Sequence, residues 1–368
     1  MNGRTIKAFT VCLGLLVVSG CWGNSSAAVN HETRDQSSPK PLRIVVTTGM
    51  VADLVRRVAG NHAEVTALMG SGIDPHLFKP QRHHIKKLND ADVVFYSGLT
   101  LEGRMQDELK QAHTSKRPVV PVTKLLETSE KEFLRSPPEF KGHYDPHVWM
   151  DVTAWSRCLE QVVQTLTTVD PQHADGYRQN ANAFQSELVE LDNYVRKVIE
   201  SIPASQRVLV TAHDAFGYFG RAYHIEVRSV QGVTTESEAG VRDVNQLVDF
   251  LVQSKIPAIF VESSVNEKNI RAVIEGANAH GVSVRIGGQL FSDAMGAEGT
   301  YEGTYVGMID HNATQIARAL GGTAPEKGMS GRLALNEHEV AGTMPIVVPA
   351  CFGLLFAMAA IFRVMFFI

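Results

Sequence analysis

The sequence predicts an α/β protein of two similar lobes, each with a parallel-type sheet, joined by one long helix. Three observations lead to this prediction. Short apolar runs typical of buried strands alternate with helical segments in the first half of the chain, and the same order returns in the second half. A long amphipathic segment separates the two halves. The length of 368 residues suits two domains that each bury a sizeable core.

The N-terminal residues 1–21 have the pattern of a secretory signal peptide that ends in a lipoprotein box. Two basic residues precede the apolar stretch Ala8–Val18, and Val18-Ser19-Gly20-Cys21 resembles the site at which bacterial lipoproteins are lipidated on cysteine. This predicts a lipid anchor at Cys21 and a location on the periplasmic side of the inner membrane or at the cell surface. An ordinary signal with a chance cysteine is the alternative. Residues 22–41 are polar and predict a flexible tether.

Residues 42–168 are expected to form the N-terminal lobe. Four apolar runs predict its strands, and helical spacing between them predicts helices. The predicted strands are Leu42–Thr47, Glu64–Met69, Ala91–Tyr96 and Arg117–Val122, and the predicted helices are Met50–Ala59 and a short one at Ile85–Leu88. Strands that alternate with helices favour a parallel sheet covered on both faces.

Residues 169–202 contain the clearest helix of the chain. Asp170 suits the N-cap, Pro171 suits the first helical position, and Pro203 ends the helix. Apolar residues at spacings of three and four form one stripe, made of Tyr177, Ala181, Phe184, Leu188, Leu191, Val195, Val198 and Ile202. About 32 residues at 1.5 Å per residue predict a rod of roughly 48 Å. We expect the stripe to pack along both lobes, and a coiled-coil dimer is the alternative.

Residues 203–333 repeat the order of elements and are expected to form the C-terminal lobe. The predicted strands are Arg207–Thr211, Glu226–Val230, Pro257–Glu262 and Val282–Ile286. The two halves resemble each other in the order of their elements rather than in strong residue identity, which predicts two similar lobes.

The C-terminal residues fit neither lobe. A spacer, residues 334–343, leads into a hydrophobic tail, residues 344–368. The uncharged run Val340–Phe362 has about 23 residues, which is long enough to span a bilayer, and Arg363 after it agrees with a cytoplasmic end. A second membrane anchor is the favoured interpretation. A remnant of fusion to a permease and a translation-frame artefact are the alternatives.

Charge and cysteine content exclude some classes of protein. The net charge is −4 and no basic block stands out, so nucleic acid is not an expected partner. Cys158 is the one cysteine between the signal segment and the tail, so this part of the chain cannot form an intramolecular disulfide. Its stability must therefore come from core burial.

Four residues that follow predicted strands are candidate ligands of a divalent transition metal: His76, His147, His213 and Asp293. His76 and His147 each end an Asp-Pro-His sequence. Ligands of open α/β sheets bind beyond the carboxyl ends of strands, and two candidates come from each lobe, so the ion would lie in the cleft between the lobes. Three imidazoles and one carboxylate suit such an ion. Because Asp-Pro commonly starts a turn, a purely structural role of each Asp-Pro-His is the alternative.

These candidates lie in motifs that resemble those of the TroA-like metal-binding receptors of bacterial ABC importers. The matching stretches are Gly72–His76, Asp145–Asp151, Thr211–Phe219, Phe260–Ser264, Leu290–Asp293 and Gly303–Tyr305 with Met308 and Asn312. They extend over essentially the whole folded body. The resemblance implies two lobes joined by a long rigid helix, a metal buried between them, and ligand roles for His76, His147, His213 and Asp293.

The resemblance also implies a monomeric receptor, not an enzyme, that captures zinc or manganese and delivers the ion to an ABC permease and its ATPase. Zinc is slightly favoured, because the intrinsic affinity order and three nitrogen ligands favour it. In this family a glutamate at the third ligand position accompanies a preference for manganese, and that position is His213 here. Dedicated zinc receptors often carry a His-rich loop, whereas Leu125–Tyr144 contains only His143.

Three acids near the candidate ligands are candidates for orienting imidazoles. Asp145 and Asp214 are expected to accept hydrogen bonds from imidazoles or, equally, to form turns, and Glu262 is expected to be a nearby buried acid rather than a ligand. Two other functions are considered. A zinc metallohydrolase would leave one coordination position open for water, whereas four protein ligands predict a closed site. An adhesin-like role, assigned to some lipoproteins of this family, has no separate feature in the sequence.

Overall fold

The computed structural model describes residues 40–326, 328 and 329. The predicted signal peptide with Cys21, nearly all of the tether, the spacer and the hydrophobic tail lie outside the described residues. Within the described residues no helix has both the length and the apolar character needed to cross a membrane.

The N-terminal lobe contains one parallel sheet with the strand order β2-β1-β3-β4. Its strands are β1 (Leu42–Val46), β2 (Ala63–Ala67), β3 (Val93–Tyr96) and β4 (Val119–Pro121). Its helices are α1 (Gly49–Ala59), α2 (Arg82–Asp90), α3 (Gln106–Ala112), α4 (Lys124–Thr128) and α5 (Val152–Val169). The parallel sheet predicted from the alternation of strands and helices is confirmed, although β2 and β4 end earlier than the apolar runs.

Helix α5 lies in a stretch for which the sequence predicts no element. Asp151 begins it, because the Asp151 carboxylate accepts a hydrogen bond from the backbone N–H of Ala154 at 3.1 Å. The buried face of α5 includes Ser156, Gln161 and Thr165, and the last two are hydrogen-bonded to each other at 3.1 Å. The prediction misses a helix whose period the sequence does contain, because Val152, Trp155, Leu159, Val162 and Leu166 recur at spacings of three and four.

The linker helix α6 spans Ala174–Glu200, which is 27 residues or roughly 40 Å. It is shorter than predicted because Pro171–His173 forms a separate 3-10 turn. Asp170 does not cap α6. Its carboxylate instead accepts hydrogen bonds from the hydroxyl of Tyr177 at 2.5 Å and from Nδ1 of His173 at 2.6 Å.

The apolar stripe of α6 is buried along its whole length. Helices α1 and α5 of the N-terminal lobe and α10 of the C-terminal lobe pack against α6. The expected packing along both lobes is therefore confirmed, and the stripe is not free to form a coiled coil.

The C-terminal lobe contains two parallel strand pairs, β5-β6 and β7-β8. The strands are β5 (Val208–His213), β6 (Glu226–Gln231), β7 (Ala258–Glu262) and β8 (Arg285–Leu290). The helices are α7 (Gly217–Tyr223), α8 (Val241–Ser254), α9 (Lys268–Ala279) and α10 (Tyr305–Ala319). Strand β5 lies against β7, so the two pairs are neighbours.

Strand β8 begins and ends later than the sequence predicts. The sequence pattern predicts the strand at Val282–Ile286, whereas pairing with β7 continues through Gly288 to Leu290, and Gly287 lies at an irregularity of the register. A Cβ atom at Gly287 would lie 2.8 Å from the ring of Phe260. Glycine therefore permits the close approach of β8 to β7, although glycine is rare in strands.

Candidate metal centre

The strand ends bring the four candidate ligands to one place. His213 is the last residue of β5, and Asp293 follows shortly after β8. His76 lies in the loop after β2, and His147 directly precedes a 3-10 turn at Val148–Met150. Because the carboxyl ends of parallel strands face the same side of a sheet, residues that are distant in sequence converge there.

His76, His147, His213 and Asp293 each offer one ligand atom, and these atoms all lie within 4.8 Å of one another. Nε2 of His76 lies 3.3 Å from Nε2 of His147. The Asp293 carboxylate lies 3.2 Å from Nε2 of His147 and 3.2 Å from Nε2 of His213. All four side chains are buried, and the most exposed of them, His76, has 3% of its surface accessible. The structure thus assembles the set that the sequence predicts.

Both Asp-Pro-His sequences form the same local turn. The carboxylate of Asp74 accepts a hydrogen bond from the backbone N–H of His76 at 2.8 Å, and that of Asp145 accepts one from the backbone N–H of His147 at 3.0 Å. Such an Asx turn fixes the backbone of the histidine relative to the preceding aspartate. The turn role considered for Asp-Pro-His is therefore present together with the convergence of the imidazoles.

Two buried carboxylates orient two of the imidazoles. Nδ1 of His147 lies 2.8 Å from Asp145 Oδ1, and Nδ1 of His213 lies 2.6 Å from Glu262 Oε2. The other oxygen of Glu262 accepts hydrogen bonds from the backbone N–H groups of Ala212 and His213 at 2.8 and 2.9 Å. A carboxylate on Nδ1 fixes the tautomer and directs Nε2 towards the centre of the site.

Asp214 does not orient an imidazole. Within the described part of the chain, its carboxylate makes no hydrogen bond to His76, His147 or His213 and lines a separate cavity of about 420 Å³ beside β6 and α8. Burial, together with the negative charge of Asp145, raises the pKa of Asp214 to about 6.

The atoms that face one another in the centre are acceptors when the histidines are neutral. With the Nδ1 protons directed at carboxylates, the Nε2 atoms of His147 and His213 present lone pairs. Nε2 of His213 and both oxygens of Asp293 are buried without a hydrogen bond of good geometry. Converging lone pairs in a buried site repel one another unless a cation lies between them. The arrangement therefore fits a metal ion, or protons in its place.

The carboxylates also determine where those protons lie. Burial lowers the pKa of His147, but hydrogen bonds to Asp145 and Asp293 outweigh it and raise the pKa to about 9. Burial likewise opposes protonation of His213, but the charges of Glu262 and Asp293 raise the pKa of His213 well above its ordinary value. Without a metal ion, both imidazoles therefore hold a proton more strongly than an ordinary histidine.

The two remaining ligand candidates are ready to bind a cation at neutral pH. Burial lowers the pKa of His76 to about 3, so its imidazole is neutral. Burial would raise the pKa of Asp293, but the positive charge of His213 and hydrogen bonds from His147 and His213 lower it well below the ordinary value. Exchange of two imidazole protons for a divalent ion would leave the net charge of the site unchanged.

Several supporting residues were not predicted to belong to the site. Arg135 forms an ion pair with Asp145, and the hydroxyl of Tyr218 donates a hydrogen bond to the Asp145 carbonyl at 2.8 Å. The indole N–H of Trp149 donates to the Ser292 carbonyl at 2.8 Å, which ties the turn after His147 to the residue before Asp293. Apart from proximity to the Asp-Pro-His sequence, nothing local in the sequence signals these contacts.

Comparison with known proteins shows which family shares this arrangement. The chain matches the family model described as ZnuA, zinc-uptake complex component A, periplasmic, over residues 44–319. It is 44% identical to the manganese-binding lipoprotein MntA of Bacillus subtilis over 315 residues, which cover 84% of this chain and 97% of that protein. It is 42% identical to the zinc-binding protein TroA of Treponema pallidum over 321 residues, which cover 87% of this chain and 99% of that protein. The solved structure of the periplasmic zinc-binding protein TroA from Treponema pallidum aligns with a TM-score of 0.73 and 44% identity, and covers 76% of this chain and 99% of that chain.

Proposed function

Because this chain belongs to the ZnuA family of periplasmic zinc-uptake components, we propose that it is the extracytoplasmic substrate-binding receptor of an ABC importer. It captures one divalent transition-metal ion between its lobes and delivers the ion to a membrane permease driven by an ATPase. The proposed ligands are His76, His147, His213 and Asp293. A single copy suffices to bind the ion, because all four proposed ligands come from one chain, and we propose that the protein acts as a monomer.

One observation carries this proposal, namely a buried set of four convergent ligand atoms. Among them, Nε2 of His213 and the oxygens of Asp293 have no hydrogen-bond partner among the described residues. Four protein ligands complete the coordination of a tetrahedral ion, whereas a catalytic zinc ion keeps one position for water. The geometry therefore favours capture and delivery over hydrolysis. No observation on the described residues favours the adhesin-like role.

Zinc is the ion that the set of ligands fits best, because three of the four proposed ligands are nitrogens. Three pairs of possible ligand atoms lie 3.2 to 3.3 Å apart, and one atom from each residue lies within 4.8 Å of the others. An ion with bonds of about 2.0 Å can therefore fit between them. Relatives of similar identity are named for manganese in one case and for zinc in the other. Manganese is therefore the second candidate. It prefers oxygen ligands, and Asp293 is the one proposed ligand that supplies oxygen.

Calorimetric titration tests the proposed function. The purified full-length chain, stripped of metal in a mild detergent, is expected to bind one zinc ion per chain and to bind manganese more weakly. Chain loaded with zinc beforehand is the control and should release no further binding heat. Absence of saturable binding of either ion would overturn the proposal, and tighter binding of manganese would reverse the choice of metal.

We further propose that Cys21 anchors the protein in the membrane. Cys21→Ala is expected to move most of the protein from the membrane fraction to the soluble fraction, while Cys12→Ala, a second cysteine of the same N-terminal segment, should leave it in place. If Cys21→Ala stays with the membrane and a variant that also lacks residues 344–368 leaves it, the hydrophobic tail is the anchor instead.

A further inference from the structure

The segment 232–240, which we call the strap, connects β6 to α8 and reaches from the C-terminal lobe to the N-terminal lobe. At its start, the carbonyl of Gly232 accepts a hydrogen bond from the backbone N–H of Asp214, the residue after His213, at 3.2 Å. Further along, Thr235 donates a hydrogen bond to Asp74 Oδ2 at 2.5 Å. Glu236 then forms an ion pair with Arg104 at 3.1 Å. The strap thus begins beside the residue that follows His213, and its middle contacts the turn that carries His76.

Asp74 connects the strap to His76. Its Oδ1 accepts the hydrogen bond from the His76 backbone N–H at 2.8 Å, while its Oδ2 accepts the one from Thr235. Thr235 is buried, with 8% of its surface accessible, so this hydrogen bond is shielded from water. The hydroxyl of Thr235 therefore acts on the turn that places the imidazole of His76.

His76 depends on this turn more than the other two histidines depend on theirs. Carboxylates hold the rings of His147 and His213, whereas no carboxylate in the described residues is hydrogen-bonded to the ring of His76. Its neighbours Ile73 and Leu77 are 41% and 39% exposed, so apolar burial holds the turn weakly. Two hydrogen bonds across the cleft help to hold this turn. Ser71 donates one to the Met295 carbonyl at 3.0 Å, and Thr235 donates the other to Asp74.

We propose that Thr235 is a positioning residue of the metal site, which holds His76 in place through Asp74 and thereby slows the release of the bound ion. The inference rests on the proposed function. An ion bound by four ligands leaves once one ligand withdraws, and His76 is the proposed histidine ligand whose ring has no carboxylate partner among the described residues. Loss of the Thr235 hydroxyl frees the turn in the N-terminal lobe and loosens the strap in the C-terminal lobe at the same time.

Release of zinc from three variants of the full-length chain tests this proposal. Thr235→Val removes the hydroxyl at nearly constant volume, and Thr235→Ser keeps it. Thr234→Val is the matched control, because Thr234 precedes Thr235 in the strap and its hydroxyl makes no hydrogen bond within the described residues. The rate at which a chromogenic chelator in excess takes up zinc from each loaded protein gives the rate of release.

We expect Thr235→Val to release zinc about tenfold faster than the unaltered chain, the effect of one buried hydrogen bond to a charged group. Thr235→Ser and Thr234→Val should release it at nearly the original rate. The visible spectrum of bound cobalt, which reports ligand geometry, should change in Thr235→Val alone. A general loss of stability would not produce this pattern, because the serine variant restores both readouts.

Equal rates for Thr235→Val and Thr234→Val would overturn the inference while leaving the proposed function intact. Failure of the unaltered chain to bind zinc or manganese at all would overturn the proposed function itself. The two failures are therefore distinguishable in one set of measurements.

Discussion

His147→Ala is expected to lower the affinity for zinc by more than about 100-fold, because loss of an outer partner of a ligand alone costs about 10- to 100-fold. His147 is the most connected member of the site. Its Nε2 lies 3.3 Å from Nε2 of His76 and 3.2 Å from Asp293, and its Nδ1 lies 2.8 Å from Asp145. Alanine would remove a ligand and leave the remaining three unable to enclose the ion. Calorimetric titration of the metal-stripped variant measures the effect.

The metal-free fold is expected to survive this substitution. Asp145, which loses the imidazole, keeps its ion pair with Arg135 and its Asx turn with residue 147, so its charge does not become unpaired. His143→Ala is the matched control, because His143 lies four residues earlier and is exposed. Zinc affinity in His147→Ala equal to that in His143→Ala would show that His147 is not a ligand. Thermal unfolding of both metal-free variants separates loss of binding from loss of fold.

The convergence of the four ligand candidates could be predicted because it follows from topology. His213 and Asp293 follow strands of the second lobe and His76 follows a strand of the first, and parallel strands direct their carboxyl ends to the same edge. The linker helix could also be predicted, because its apolar residues recur regularly at helical spacing. Helix α5 carries a comparable stripe, made of Val152, Trp155, Leu159, Val162 and Leu166, so the same reasoning could have placed it as well.

The outer partners of the imidazoles could be predicted only in part. Asp145 is hydrogen-bonded to the ring of His147, which agrees with its predicted role of orienting an imidazole. Asp214 is not a partner, because successive residues at the end of an extended strand point to opposite sides, and His213 already points into the site. Glu262 reaches His213 because β7 lies against β5. Which strands become neighbours depends on the packing of the whole lobe, which the local sequence pattern does not encode.

Zinc affinity is expected to rise with pH, with the release of about two protons per ion bound near neutral pH. In the metal-free chain His147 has a pKa of about 9 and His213 a pKa well above its ordinary value, so both imidazoles hold a proton more strongly than an ordinary histidine. A protonated imidazole cannot bind a metal, so binding displaces both protons. Lower pH favours the protonated form, and the affinity therefore falls as pH falls. His76, with a pKa of about 3, adds no proton in this range.

Titration between about pH 5.5 and 7.5 should therefore show the logarithm of the affinity changing by about two for each pH unit. Asp145→Asn offers a sharp comparison. Asparagine can still accept the hydrogen bonds that Asp145 Oδ1 receives from the backbone and ring of His147, but it removes the charge that raises the pKa of His147. The slope in this variant should fall towards one near neutral pH, since His147 is then largely neutral before zinc arrives. Calorimetry in buffers of different ionisation enthalpy counts the protons directly. An affinity independent of pH would contradict a site of three histidines, and an unchanged slope in Asp145→Asn would show that Asp145 does not hold the proton on His147.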